Sequence, residues 1–238
     1  MRGGLGSLSD PKAPHFAAAP ELRATPIEPT PSMPAVHQRP EPTDATEFER
    51  TVRAGGVAVF PADTVYGLAC DPEEPRAVER LYALKGRPPD KPAAVMFFDP
   101  DRAQAALPEL GDRTRNALAR LTPGPVTLLL PNPRHRFPLA CGPDPATLGL
   151  RVPDLPSLTR VTVPVLQSSA NHAGGPDARR LDDVPEDIRC GADLVLDGGE
   201  LPGTPSTVID LRRYEDAGTW TVVRSGALSP ETIATVLR

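Results

Sequence analysis

Eight short apolar runs, each closed off by proline, glycine or a polar turn, most constrain how this chain can fold. They are VAVF (57–60), AAVMFF (93–98), VTLLL (126–130), TLGLRV (147–152), VTVPVLQ (161–167), ADLVLD (192–197), STVIDL (206–211) and TWTVVR (219–224). Runs of this length, rich in β-branched residues, predict buried strands. Pro164 inside the fifth run predicts an edge strand or the start of a short one. Helical spacing intervenes. Ala45, Phe48 and Val52 form one stripe, with Asp44 as the expected cap and Glu47 completing a capping box. Val78, Leu81 and Tyr82 mark a helix over about 75–85, and Asp112 is expected to cap a helix carrying Ala117, Leu118 and Leu121. Ser229 followed by Pro230 opens a last helix. Strands and helices therefore mix along the whole chain. The expected fold class is α+β, with helices layered on a twisted mixed β-sheet.

The first 43 residues differ in character. They are rich in proline and alanine, with Phe16 their only aromatic residue. Such a stretch buries too little apolar area to offset its ordering entropy, so residues 1–43 are expected to be a disordered tail and residues 44–238 the folded domain. The net charge of −5 and the 4% aromatic content argue against a chain built mainly to grip a nucleic-acid duplex or stack single-stranded bases. Cys70, Cys141 and Cys190 are far apart and odd in number, which disfavours a disulfide framework or a zinc site. With no membrane-spanning run and no secretory leader, the expected location is the cytoplasm.

Chemistry-bearing residues gather at strand ends. In LKGRPPDKP (84–92), Gly86, Pro88 and Pro89 favour an extended segment, which puts Lys85 and Arg87 on one side with Lys91 close behind. In TLGLRVP (147–153), period-2 alternation sets Thr147, Gly149 and Arg151 on the face opposite Leu148, Leu150 and Val152. In LQSSANHAGGP (166–176), Ser169 and Asn171 precede two glycines, a pattern able to wrap an anion. Ser206 stands at a strand entrance, and Arg224 at a strand exit beside Gly226. Alone, TLGLRVP is equally compatible with an ordinary surface strand, LQSSANHAGGP is open to reading as a plain polar turn, and the other segments read more simply as solvated loops or turns. Together they form an inventory of hydroxyls and cations suited to phosphoryl or nucleotidyl transfer, where positioning and electrostatics dominate.

FPADTVYGLACD, LKGRPPDKP, PGPVTLLL, TLGLRVPD, SSANHAGG, LDGG, STVIDL and VVRSGAL occur in this order over residues 45–238. The ordered set resembles the YrdC-like family, the threonylcarbamoyl-AMP synthases, in its minimal single-domain form. The resemblance implies a basic cleft and a reaction in which L-threonine, bicarbonate and ATP give threonylcarbamoyl-AMP and pyrophosphate, with Mg²⁺ accompanying ATP. It implies partners as well: downstream tRNA threonylcarbamoyl transferase proteins that complete the threonylcarbamoyladenosine modification, and room for a weak contact to tRNA or double-stranded RNA. By resemblance, Thr64, Met96, Arg151 and Ser206 fall at threonine-contacting positions. Lys85, Arg87, Lys91, Thr147, Ser169, Asn171 and Arg224 fall at ATP-contacting ones, with Lys85 and Arg87 as the catalytic pair. The turn after the first strand is expected to be shaped by Asp63 and Tyr66 and permitted by Gly67. Three other readings stay open: a paralogue that binds RNA or nucleotide without synthase activity, a carbamoyl-adenylate-forming domain with another carbamoyl donor, and a non-catalytic interaction protein that works through its proline-rich tail.

Overall fold

The computed structural model describes residues 36–38 and 42–238. Its sheet has ten strands among the described residues: β1 (Val36–Gln38), β2 (Ala58–Pro61), β3 (Tyr66–Cys70), β4 (Ala94–Met96), β5 (Val126–Pro131), β6 (Thr147–Arg151), β7 (Val165–Ser169), β8 (Leu194–Asp197), β9 (Thr207–Asp210) and β10 (Thr221–Arg224). They lie in the order β1-β8-β2-β3-β7-β4-β6-β5-β9-β10. Four neighbouring pairs are parallel (β1 with β8, β2 with β8, β4 with β6, β5 with β9) and five are antiparallel, so the sheet is mixed as expected. The helices are α1 (Pro42–Arg53), α2 (Pro75–Lys85), α3 (Pro100–Ala106), α4 (Asp112–Leu121), α5 (Pro138–Cys141), α6 (Glu186–Gly191), α7 (Tyr214–Ala217) and α8 (Pro230–Val236).

Strand alternation divides the apolar side chains between two cores. On one side, Leu68, Val95, Leu128, Leu150 and Leu166 pack against Leu81 of α2 and Leu118 of α4. On the other, Phe60, Met96 and Val165 pack against Phe48 and Val52 of α1. The second core centres on three rings. Phe48 lies 5.1 Å from Phe60 and 5.5 Å from Phe98, centroid to centroid, in tilted and edge-on contacts that favour the ring quadrupoles.

Several local expectations change. The opening stretch FPADTVYGLACD is a hairpin: β2 returns antiparallel as β3, pairing Pro61 with Tyr66. Tyr66 and Gly67 therefore belong to a strand rather than to the turn. The strand near Pro164 begins only at Val165, and it is central, lying between β3 and β4. Asp112 is inside α4; Gly111 holds the cap position without a side-chain bond, and Glu215 of α7 accepts from the Thr114 N–H at 2.8 Å instead. α1 starts at Pro42, two residues before the expected cap Asp44. Within the stretch expected as a tail, Val36–Gln38 forms a strand parallel to β8. The rest of that stretch, residues 1–35 and 39–41, lies outside the described residues. Ser229 caps α8 as expected, accepting from the Thr232 N–H.

Two expected site residues are almost fully buried. Met96 is 0% exposed and belongs to the α1-side core. Its position on β4 points the thioether into that core, where it packs. Lys85 is the last residue of α2, not part of an extended segment. Gly86 ends the helix at φ 59°, a left-handed conformation that glycine adopts without strain. Lys85 is 2% exposed, and its ammonium donates to the backbone oxygens of Ser169 (2.6 Å) and Asn171 (2.7 Å) and to Asn171 Oδ1 (2.7 Å). It thereby ties α2 to the loop that leaves β7. Burial, then the nearby Arg87 guanidinium, push its pKa down to about 8.

Met96→Ala should lower unfolding free energy by about 2–5 kcal/mol in urea titration, and Met96→Leu by less than about 1.5 kcal/mol. A negligible loss for alanine would contradict the packing role. Lys85→Met should cost at least about 2 kcal/mol at neutral pH by orphaning buried carbonyl groups. Wild-type Lys85 binds fewer protons folded than unfolded between its depressed pKa of about 8 and the ordinary value of 10.5. The stability advantage of wild type over the variant should therefore grow as pH rises through that window. A constant difference would contradict the depressed pKa.

Candidate active site

The turn that joins β2 to β3 is the first wall of the site. Its four residues, Ala62 to Val65, close on themselves through the Ala62 N–H to Val65 carbonyl bond (3.1 Å) and the Thr64 N–H to Ala62 carbonyl bond (2.8 Å). Asp63 takes the left-handed conformation, φ 60°, which aspartate tolerates better than most residues. Arg151, at the end of β6, reaches across to this turn. One guanidinium nitrogen donates to the Ala62 carbonyl (2.9 Å), to Thr64 Oγ1 (2.8 Å) and to the Asp63 carboxylate. Arg151 is 3% exposed, and its Nε has no partner among the described residues. Burial is the main influence on both members of the pair. It lowers the Arg151 pKa and raises that of Asp63, against the mutual attraction of the two charges.

Beyond this pair lies a cavity of about 190 Å³. Among the expected site residues, Thr64, Arg87, Arg151, Ser169, Ser206 and Arg224 line it. Arg87 follows the glycine cap of α2, donates to the Pro92 carbonyl at 2.6 Å, and lies 5.8 Å from the Tyr82 ring centroid. Its Nε is buried without a partner. Arg224 leaves β10 and donates to the Ser206 carbonyl at 2.7 Å and, more weakly, to Ser206 Oγ at 3.3 Å. Ser206 Oγ also lies 2.9 Å from Thr127 Oγ1. Gly226 makes this wall possible, since a Cβ there would overlap the backbone of Pro205–Thr207.

The charge balance has a clear sign. Three guanidiniums line the cavity against one carboxylate, Asp177, and Arg151 already has Asp63 as its counter-ion. Arg151 feels Arg224 as a like charge, and Lys85 feels Arg87 in the same way. A small cavity with this lining favours anionic ligands.

Other expected contacts lie elsewhere. Lys85 and Asn171 sit behind Ser169, whose hydroxyl donates to Asn171 Oδ1 at 2.6 Å, and they shape the wall rather than line it. Thr147 does not line the cavity; its hydroxyl donates to Asp144 at 2.6 Å and accepts from Arg212 at 3.2 Å. Lys91 is exposed and does not line it, and Met96 is in the core. Conversely, Gln167, Ser168, Asp177 and Thr127 line the cavity without having been singled out from sequence. The alternation within VTVPVLQ places Gln167 on the face of Val165, a signal that was present but read only as strand burial.

A family profile for Sua5/YciO/YrdC proteins, described as "Telomere recombination", matches residues 50–226. The chain is 37% identical over 174 residues to a protein named threonylcarbamoyl-AMP synthase from Stutzerimonas stutzeri, covering 71% of this chain and 93% of that one. It is 30% identical over 191 residues to a protein of the same name from Pyrococcus abyssi, covering 78% of this chain and 55% of that longer one. In three dimensions it resembles P. abyssi Sua5 complexed with L-threonine, with a TM-score of 0.74 at 28% identity over 85% of this chain and 60% of that one. E. coli YciO also matches, with a TM-score of 0.71 at 25% identity over 84% of this chain and 100% of that one. The profile match spans the segments that carry all six expected residues lining the cavity. The chain belongs to the Sua5/YciO/YrdC family.

Proposed function

We infer that this chain is a threonylcarbamoyl-AMP synthase. It is a nucleotidyltransferase that converts L-threonine, bicarbonate and ATP into threonylcarbamoyl-AMP and pyrophosphate, for modification of tRNA. The observation that carries this reading is the cationic cavity, where Arg87, Arg151 and Arg224 meet the hydroxyls of Thr64, Ser169 and Ser206. The similarity to proteins named for this activity, and to a threonine-bound relative, supports it.

The threonine amine loses a proton and bonds to the carbon of carbon dioxide drawn from bicarbonate, giving a carbamate. A carbamate oxygen then bonds to the α-phosphorus of ATP as the bond from that phosphorus to the β-phosphate oxygen breaks, and pyrophosphate leaves. Both reactants are anions, so their approach is opposed by charge. Arg151 faces the amino-acid carboxylate, with Thr64 and Ser206 beside it. Arg87 and Arg224 face the phosphates, where their forked donors fit the oxygens, and Ser169 supplies a hydroxyl. Lys85 acts through Ser169 and Asn171, whose loop it holds in place.

Mg²⁺ is proposed as the companion of ATP. Among the described residues no cluster of three or more His, Cys, Asp or Glu side chains forms a metal cage. A magnesium ion that takes one carboxylate, with phosphates and water completing its shell, fits this donor set, and Asp177 would hold it. When bound, the ion screens the phosphate charge and stabilises the leaving pyrophosphate. Downstream tRNA threonylcarbamoyl transferase proteins are proposed to receive the product, with direct RNA contact at most weak. No described helix is long and apolar enough to cross a membrane.

Incubation with ATP, bicarbonate, Mg²⁺ and each amino acid in turn, followed by mass identification of adenylates, tests the assignment. A threonylcarbamoyl adenylate made only with threonine is expected; RNA binding without any adenylate would overturn the assignment. Arg87→Ala should slow pyrophosphate release at least about tenfold, the effect of losing ~1.4 kcal/mol of transition-state stabilisation. Near-normal turnover would contradict the role given to Arg87.

A further inference from the structure

Residues 198–206, between β8 and β9, form neither helix nor strand, yet Pro205 and Ser206 at their end line the cavity. Such a strap has no ladder of its own, so other groups must fix it. Tyr66 fixes its beginning. This residue is 0% exposed on β3 and does not line the cavity. Its hydroxyl accepts from the Gly198 N–H at 3.0 Å and lies 2.9 Å from both Asp197 Oδ1 and the Gly199 carbonyl oxygen. A phenol has one proton to donate, so it serves one of these two acceptors at a time. Asp197 Oδ1 also accepts from the Gly199 N–H at 2.9 Å, which closes the clasp. Gly198 allows the close seat, since a Cβ there would come within 2.6 Å of the Pro61 ring.

The backbone of Tyr66 holds a second segment. Its N–H donates to the Ala178 carbonyl at 2.9 Å, and its carbonyl accepts from the Ala170 N–H at 2.8 Å. Ser169 and Asp177, the neighbours of those two residues, line the cavity. Thr64, two residues before Tyr66, lines the cavity too, and its carbonyl accepts from the Gly203 N–H of the strap at 2.9 Å. One residue thus joins the β2–β3 turn, the loop after β7 and the strap, three walls of the same cavity. Any residue at this position keeps the backbone bonds; only the phenol makes the clasp. Burial, then the bond to Asp197, push the tyrosine pKa up, so the hydroxyl keeps its proton at neutral pH.

Resting on the proposed function, we propose that Tyr66 is a positioning residue of the synthase, whose hydroxyl sets the strap through Asp197 and Gly198 so that Ser206 reaches the cavity in register with Thr64. Tyr66 itself touches no substrate. Between the clasp and Ser206 the strap has single backbone bonds, Leu201 N–H to the Arg179 carbonyl (2.8 Å) and Gly203 N–H to Thr64. Leu201 and Gly203 are half-buried and Arg179 is exposed, so the buried clasp is the firm end. At the other end, Ser206 meets Thr127 Oγ1 through its hydroxyl and Arg224 through its carbonyl. A strap released at its start carries this junction out of place, and small misplacements are costly where catalysis rests on positioning.

The test measures threonine-dependent pyrophosphate release by the full chain and by Tyr66→Phe, Asp197→Ala, Asp197→Asn and the Tyr66→Phe/Asp197→Ala double variant, at a temperature where each is folded. Tyr66→Phe should lower kcat/KM for threonine at least about tenfold, mainly through KM for threonine, with a smaller change in KM for ATP. Asp197→Ala should do the same, and the double variant should lie within about twofold of the single ones, because both break one clasp. Asp197→Asn keeps the accepting oxygen and should stay within about threefold of wild type. Wild-type kinetics in a folded Tyr66→Phe with only its stability lowered, or losses that simply add in the double variant, would overturn the proposal and leave the synthase assignment intact. Wild type that releases no pyrophosphate with threonine would overturn both. Should Tyr66→Phe fail to fold, Asp197→Ala against Asp197→Asn decides: a loss in the first and not in the second is expected, and equal activity in the two would contradict the clasp.

Discussion

The site depends on a charge that is almost entirely buried. The Arg151 guanidinium leaves the end of β6 and joins the turn of the β2–β3 hairpin through the Ala62 carbonyl, Thr64 Oγ1 and the Asp63 carboxylate. Taking a guanidinium out of water is costly unless it is paired and hydrogen-bonded, and here the hairpin turn provides both conditions. Cation and turn therefore position each other. Without the turn the charge is stranded, and without the charge the left-handed Asp63 loses its anchor. Lys85 performs the same service on the opposite wall by gathering carbonyls of Ser169 and Asn171.

These two anchors explain how a sheet of short strands produces a cavity. The residues that line it come from the β2–β3 turn, the end of α2, β6, β7, the entrance to β9 and the exit of β10, segments spread from position 64 to position 224. Strand ends are where side chains can leave the sheet, and the small residues Ala93 and Ala94 line the cavity between the polar groups. The outcome is a positive pocket in a chain with a formal net charge of −5. A positive pocket within an acidic protein selects a small multivalent anion over a polyanionic surface. That fits a site where a carbamate must approach a triphosphate.

Much of this was legible in the sequence, and the failures have physical causes. All eight apolar runs singled out as strands contain strands, because short runs of apolar and β-branched residues bounded by turn residues suit a sheet covered on both faces. That pattern missed β3, because YGLAC carries a glycine and no β-branched residue and so lacks the usual strand composition. The capping signals placed the start of α1 two residues late and misplaced the cap of α4, where Glu215 supplies the bond to the Thr114 N–H from elsewhere in the chain. The cations and hydroxyls at strand ends were visible as residue types. Spacing alone could not distinguish Arg87, which faces the cavity, from Lys85, which is turned behind it by the end of a helix. Met96 looked like a site residue by resemblance, yet its strand directs it into the ring cluster of Phe48, Phe60 and Phe98. Gln167 was passed over because a polar residue in a buried strand is informative only when its partners are known.

A structure of this chain crystallised with L-threonine and a non-hydrolysable ATP analogue tests the central claim most directly. The account predicts both ligands in the one cavity, with the threonine carboxylate at Arg151 and the phosphates between Arg87 and Arg224. Ligands bound on separate surfaces, or phosphates that avoid both of those arginines, would contradict it.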